Sequence, residues 1–348
     1  MGSQKRGFKS YLLDAAKLLF VIVVFVFLYK SGKLDLNALS VALAKPGYVV
    51  ISLFLTFLAM LISVERWRTL LRAVDISVDM KPALNLTLIG SFFNVVFPGA
   101  VGGDIVKAYY LARGQQNKAA LVTTVVFDRV LGLYTMIFVA AVAGAVAAMF
   151  ATSGEAPAWW NSSTKALVMF IAALFVAANL GALIFLERRI SESRFVNRVI
   201  SALPMQDKIR KIHAATKSIG RQSGHTIYAF FLSLLSQLAL YGSIWILAAA
   251  LNITGLSVGQ YFFVLPVCLL INSIPVSPGG LGVGEMAFGA VFALFASNKG
   301  VELAVLYHAV SFALALGLGG LVYLVFSRRD NLVSITHMQK LAEQEEDN

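Results

Sequence analysis

Runs of apolar residues long enough to cross a bilayer recur along the whole chain, and two hydrophobic regions break into a proline-glycine turn ending on a carboxylate. The first reads Asn94-Val-Val-Phe-Pro98-Gly99-Ala-Val-Gly102-Gly103-Asp104. The second reads Ile274-Pro275-Val-Ser277-Pro278-Gly279-Gly280-Leu-Gly282-Val-Gly284-Glu285. Proline removes an N–H and glycine relaxes the backbone, so neither stretch continues a helix. At membrane depth, such backbone survives only where it is buried in protein or lines a wet cavity. A pair of interruptions, one in each half of a hydrophobic chain, is the sequence pointer to a transport site between inverted repeats.

The chain reads as membrane-embedded. Apolar residues make up 58% of its 348 residues and charged residues 14%. A spanning helix needs about 20 mostly apolar residues. Six stretches qualify: 12–29, 47–64, 119–150, 165–186, 226–251 and 301–326. The interrupted regions lie near 83–113 and 258–297. Residues 1–330 therefore read as a single transmembrane domain, with 331–348 a short polar tail. The longest polar stretch between spans is 187–225, so no soluble catalytic domain is expected. Cys268, alone in an apolar run, excludes an internal disulfide and a cysteine metal cluster, and reads as a packed small hydrophobe. No GxxxxGK[ST] sequence and no His-acid cluster at metal-ligand spacing is present, so no cofactor is expected and ATP drive would need a partner.

The net charge of +11 sits in loops beside the spans, where it sets orientation and meets anionic headgroups; no nucleic-acid partner is expected. Arg188, Arg189, Arg194, Arg198, Lys208, Arg210, Lys211, Lys217 and Arg221 place the 187–225 loop in the cytoplasm. The 65–82 loop, with Arg66, Arg68, Arg72 and Lys81, and both termini follow the same rule. The 151–164 loop, with Glu155 and no Lys or Arg, is expected to face outward. Lys5, Arg6 and Lys9 precede the first apolar run, but no small-residue cleavage site follows, so an uncleaved span is expected. If 83–97 crossed completely and 103–113 did not, every later loop would invert. A hairpin that enters from the cytoplasm, turns at Pro98–Gly103 and returns removes the conflict. Charge counting gives no such test for 258–297; by analogy it reads as a second hairpin entering from outside, against an alternative of two ordinary packed spans. The expected fold is an all-α polytopic bundle of about six full spans and two opposed re-entrant hairpins.

Polar residues at membrane depth carry the candidate chemistry. Asp104 and Glu285 each begin the returning half of a hairpin. An acid there caps a helix start; alternatively the free N–H groups bind a lipid phosphate and the acid meets a headgroup amine or hydroxyl, or couples protons. A charge at the bilayer centre costs about 2.5–3.5 kcal/mol on insertion scales, so Asp128 and Arg129 should be paired inward, or else anchor the start of their span. Adjacent helical side chains point about 100° apart, so these two cannot neutralise each other. Arg129 is expected to meet Asp104, Glu285 or a substrate phosphate. Lys107, one turn after Asp104, is placed for an ion pair with it or for a phosphate. Glu65-Arg66-Trp67-Arg68 reads as a headgroup anchor. His308 reads as a hydrogen-bonded packing residue, and Asp14–Lys17 as a structural pair.

Asn94…Pro98-Gly99…Gly102-Gly103-Asp104, then Asp128-Arg129-Val-Leu-Gly132-Leu133, then Ser277-Pro278-Gly279-Gly280-Leu281-Gly282…Glu285 form an ordered series. With this series the chain resembles the flippase-like integral membrane family related to the transmembrane region of lysylphosphatidylglycerol synthase. The resemblance implies an inner-membrane protein that moves polar lipids or lipid-linked precursors between leaflets, with membrane lipids as partners and a second copy or an envelope-synthesis protein as further candidates. It departs from the family pattern at Ala100, where arginine is common, and at Asp128, where glutamate is common; the phosphate role then falls on Lys107 and Arg129. The synthases add a soluble aminoacyl-transferase domain, and lipid aminoacylation by this chain is not expected. Two other readings stand beside the flippase: a membrane enzyme acting on a lipid phosphate or lipid-linked sugar, and a non-transporting scaffold.

Overall fold

The computed structural model describes Ser40 and residues 44–96, 102–112, 118–153, 159–186, 223–275 and 278–329. The expected first span 12–29, the Asp14–Lys17 pair, nearly all of the basic 187–225 loop, Glu155 and the tail 331–348 lie outside these residues. Among the described residues the fold is helical throughout. Its elements are α1 (Pro46–Arg72), α2 (Met80–Val96), α3 (Gly102–Ala112), α4 (Lys118–Thr152), α5 (Ser162–Leu186) and α6 (Ser223–Ala250). Then follow α7 (Val258–Asn272), a tight 3-10 turn (Pro278–Gly280), α8 (Val283–Leu294), α9 (Gly300–Phe312), a π segment (Ala313–Gly319) and α10 (Gly320–Arg329).

Five of the six expected spans are present as continuous helices long and apolar enough to cross: α1, α4, α5, α6 and the run from α9 through α10. Large apolar side chains such as Phe54, Met149, Phe170, Leu183 and Phe231 are exposed along them, as lipid-facing surfaces require. α1 runs about two turns beyond the 47–64 expected from hydropathy. The protein satisfies the added charges itself: Glu65 bonds Arg68 and Arg72, and Arg68 Nε donates to the Val78 carbonyl at 2.8 Å.

α1 and α6 pack along much of their length. Lipid gives apolar helices little reason to associate, so small polar contacts hold them. Ser243 Oγ lies 2.8 Å from Ser52 Oγ and 2.7 Å from Thr56 Oγ1, and Ser236 Oγ donates to the Ala59 carbonyl at 2.9 Å.

The interrupted regions fold as two hairpins. With 11 residues, α3 is roughly 16 Å long, about half the hydrocarbon thickness. Its start lies on the end of α2, Gly103 against Gly90 and Asn94; its last turn, at Leu111, packs with Met80, Ala83 and Leu84 at the start of α2. The chain thus returns to the side it entered, beside Arg72. α7 and α8 repeat the arrangement from the opposite side: Asn272 lies against Gly280 and Gly284, Cys268 against Ala287, Tyr261 against Phe292. On that side Lys45 and Lys299 tie the loop after α6 by donating to the Ala250 and Leu251 carbonyls, each at 2.8 Å. Cys268 is buried and free, as its apolar setting indicated.

The second turn meets the end of α2 inside the bundle. A Cβ on Gly279 would lie 3.7 Å from Val95 Cα, and Leu281 packs with Val95, Val96 and Phe312. The last span seals this contact: Tyr323 stacks on Phe92 at 5.5 Å, and Gly319 sits directly on the Leu88 carbonyl. Gly319→Leu is expected to destabilise the protein by about 1–3 kcal/mol through overpacking. Gly317→Leu, two residues away with nothing within 4 Å of its Cβ position, should be close to neutral. Thermal unfolding of both variants in detergent checks the difference.

Candidate functional site

The first turn is closed by a side chain from the preceding helix. Asn94 Oδ1 accepts the Gly103 N–H at 2.8 Å, satisfying a donor that would otherwise be orphaned at the start of α3. Asp104 is therefore not the acceptor of that N–H. It reaches α4 instead, where its Oδ2 accepts from Arg129 Nε at 2.6 Å, one of the partners expected for Arg129. This pair is the more open one, with the Arg129 side chain 43% and the Asp104 side chain 18% exposed.

Asp128 turns away from its neighbour, as helical geometry requires, and meets Arg66 on α1. The contact is a fork, with Nε to Oδ1 at 2.7 Å and Nη2 to Oδ2 at 3.0 Å. Arg66 is 7% exposed and spreads its remaining hydrogen bonds over Ser233 (2.9 Å) and Ser63 (3.1 Å); Ser233 in turn meets Thr135 at 2.8 Å. Arg66 and Trp67 are therefore buried parts of the bundle, which corrects their reading as headgroup anchors. Hydropathy placed the span end just before them; the deciding fact is a carboxylate 62 positions away that needs a partner.

Lys107 also departs from expectation. Despite the i, i+3 spacing it makes no ion pair with Asp104 among the described residues. Its ammonium stands 5.2 Å over the Trp67 ring, and its stem lies against Gly90. Trp67 Nε1 is buried with no acceptor among the described residues. Two donors without acceptors thus lie side by side. The charges acting on Lys107 are Asp104, Asp128, Arg129 and Arg66. Among the described residues, three basic side chains face two carboxylates.

The second turn is built differently. Gly279, Gly280 and Gly282 have φ of 58°, 81° and 84°, backbone that side chains rarely tolerate. Glu285 Oε2 accepts the Gly282 N–H at 2.5 Å, so here the acid does cap its own helix. Its Oε1 lies 2.9 Å from His308 Nδ1 on α9. His308 is hydrogen-bonded, as expected, but to a carboxylate at the turn.

The family model for the lysylphosphatidylglycerol synthase transmembrane region matches residues 15–319. The chain belongs to this family. It is similar to UPF0104 membrane proteins from three archaea: 25% identical to one of Methanocaldococcus jannaschii, over 92% of this chain and 96% of the relative. The figures are 26%, over 74% and 78%, for one of Methanothermobacter thermautotrophicus, and 24%, over 94% and 99%, for one of Pyrococcus horikoshii. No solved structure matches significantly.

In this family member the candidate residues fall into two clusters. Asn94, Gly102, Gly103, Asp104, Lys107, Asp128 and Arg129 converge with Arg66 and Trp67 at the first turn. Pro278, Gly279, Gly280, Gly282 and Glu285 gather with Asn272 and His308 at the second. Pro98, Gly99 and Ser277 lie outside the described residues. The sequence offered only weak signals for Ser233, Thr135 and Asn272, which are single polar residues in apolar runs.

Removing one partner of a buried ion pair leaves a charge uncompensated and costs about 3–5 kcal/mol. Asp128→Asn and Arg66→Met should each lose about that much, and the double variant less than the sum. Denaturant titration of the four proteins in detergent measures the coupling.

Proposed function

We propose that this membrane protein moves a phospholipid or lipid-linked precursor between leaflets, with the polar cluster around Lys107, Asp104 and Arg129 as its headgroup site. The observation that carries the reading is a pair of donors at the first turn, the Lys107 ammonium and the buried Trp67 Nε1–H, with no acceptor among the described residues, in a cluster where three basic side chains face two carboxylates. A phosphodiester brings one negative charge and several strong acceptor oxygens. It complements this cluster, whereas a neutral lipid does not.

The remaining groups take supporting roles. Gly103 N–H is already bound by Asn94 and Gly282 N–H by Glu285, so these helix starts have fewer donors to offer than their sequence suggested. The load shifts to Lys107 and to Arg129, whose exposed guanidinium can exchange Asp104 for a phosphate oxygen. Asp104, released, then accepts from a headgroup amine or hydroxyl. Arg66–Asp128, buried and forked, holds α1 against α4 while this exchange occurs.

The positive-inside rule puts the Arg72 side in the cytoplasm, with the protein in the plasma (inner) membrane and both termini cytoplasmic. The first hairpin then opens from the cytoplasm and the second from outside, so that each leaflet has its own half of the pathway. Movement is passive or ion-coupled.

Reconstitution with NBD-labelled phosphatidylglycerol and a membrane-impermeant reductant tests this. In wild-type vesicles, bleaching should pass the roughly half of the label that starts in the outer leaflet. Lys107→Met should slow that excess about tenfold or more, the scale of one lost charge-assisted hydrogen bond. Equal rates in wild type and empty vesicles would overturn the reading.

A further inference from the structure

We propose that Glu285, His308 and Asn272 form a proton-carrying site that couples the lipid movement to a proton gradient; this rests on the transport reading above.

His308 is 4% exposed, and its two ring nitrogens have different surroundings. Nδ1 faces Glu285 Oε1 at 2.9 Å. Among the described residues Nε2 is buried without a hydrogen-bond partner, and so is Asn272 Oδ1 at the end of α7. Both look onto the same glycine. A Cβ on Gly284 would lie 2.5 Å from Asn272 Oδ1, 2.5 Å from His308 Cε1 and 3.0 Å from His308 Nε2. Gly280 likewise admits the Asn272 amide, which a Cβ there would overlap. The glycines of the turn thus let the imidazole and the amide approach each other beside the backbone.

A histidine serving only as packing would have both nitrogens satisfied. With Nδ1–H donating to the carboxylate, neutral His308 presents a second acceptor beside the Asn272 oxygen. One proton taken up on Nε2 makes it a donor on the side of Gly284, where the Asn272 oxygen also lies, and turns a carboxylate of charge −1 beside a neutral ring into a neutral imidazolium–carboxylate pair. Releasing the proton from Nε2 restores the first state. Nothing else is consumed.

Among the described residues, no second charged side chain bears on Glu285. His308 is the side chain that acts on Glu285, alongside the Gly282 and Glu285 backbone N–H groups. Tyr307 flanks His308 on α9 with ring centroids 5.5 Å apart, and Phe312 stacks on it at 5.6 Å. α7 adds Asn272, and Cys268 there lies against the Ala287 carbonyl. The site also touches the mechanical part of the pathway. Phe312 contacts Gly279, which abuts Val95 next to the first turn, so a change in charge at Glu285–His308 bears on the contact between the hairpins.

The test uses the NBD-phosphatidylglycerol vesicles with and without a gradient of about one pH unit, reading the final distribution of label between leaflets. Without a gradient, wild type should equilibrate the label. With it, wild type should accumulate label in one leaflet, up to about tenfold for one proton per lipid, while His308→Gln stays even. Equal leaflets in wild type under the gradient, or the same accumulation in His308→Gln, would overturn coupling while transport stands. No equilibration by wild type under any condition would instead sink the transport reading and the coupling with it. Should His308→Gln fail to fold, 15N-histidine NMR of the wild type decides. One imidazole that takes up a proton between about pH 8 and pH 5, and that shifts in Glu285→Gln, supports the site; four imidazoles indifferent to Glu285→Gln overturn it.

Discussion

An arginine and an aspartate buried within a hydrophobic bundle must find each other or be excluded from it, and the fork between Arg66 and Asp128 is where this chain resolves that demand. The pair joins α1 to α4 and, through Ser233, to α6. It fixes the rotation of α4, since adjacent residues diverge on a helix: once Asp128 faces α1, Arg129 faces the first hairpin and finds Asp104. The start of α3 is then held from two directions, by Arg129 at Asp104 and by Asn94 at the Gly103 N–H. What remains without a carboxylate in this network is Lys107.

The hairpins rely on close backbone contact. Gly103 on Gly90, Gly319 on Leu88, and Gly280 and Gly284 under Asn272 are places where a methyl group would collide with the neighbouring element. These contacts let short, non-spanning helices pack closely at depth. The second turn then touches the end of α2 through Val95, Gly279 and Leu281. Chemically the two turns differ: among the described residues the first carries Lys107 without a carboxylate partner, the second a carboxylate and imidazole with polar atoms left unpaired.

Much of the architecture was legible in the sequence, because span length, charge placement and Pro-Gly punctuation are local signals. Parity alone located the first hairpin, and the analogy for 258–297 agrees with the contacts of α7 and α8. The Asp104–Arg129 pairing was also within reach, since Arg129 had few partners to choose from. Arg66 was misread because an Arg-Trp-Arg run at the end of a hydrophobic stretch looks like an interfacial anchor, and only packing reveals that Asp128 faces it. Lys107 was drawn toward Asp104 by spacing, yet Arg129 occupies that carboxylate and Trp67 offers its ring face. The Glu285–His308 contact joins separate helices 23 residues apart, and no periodicity in either one announces it.

Lys107, with no carboxylate partner among the described residues, is the group on which lipid binding rests, and the lipid it retains is the most direct readout. Mass spectrometry of lipids co-purifying with wild type and with Lys107→Met compares the two at once. Enrichment of one anionic phosphate lipid over the bulk membrane in wild type, lost in a well-folded Lys107→Met protein, is the expected result. Bulk-membrane composition in both proteins would contradict it.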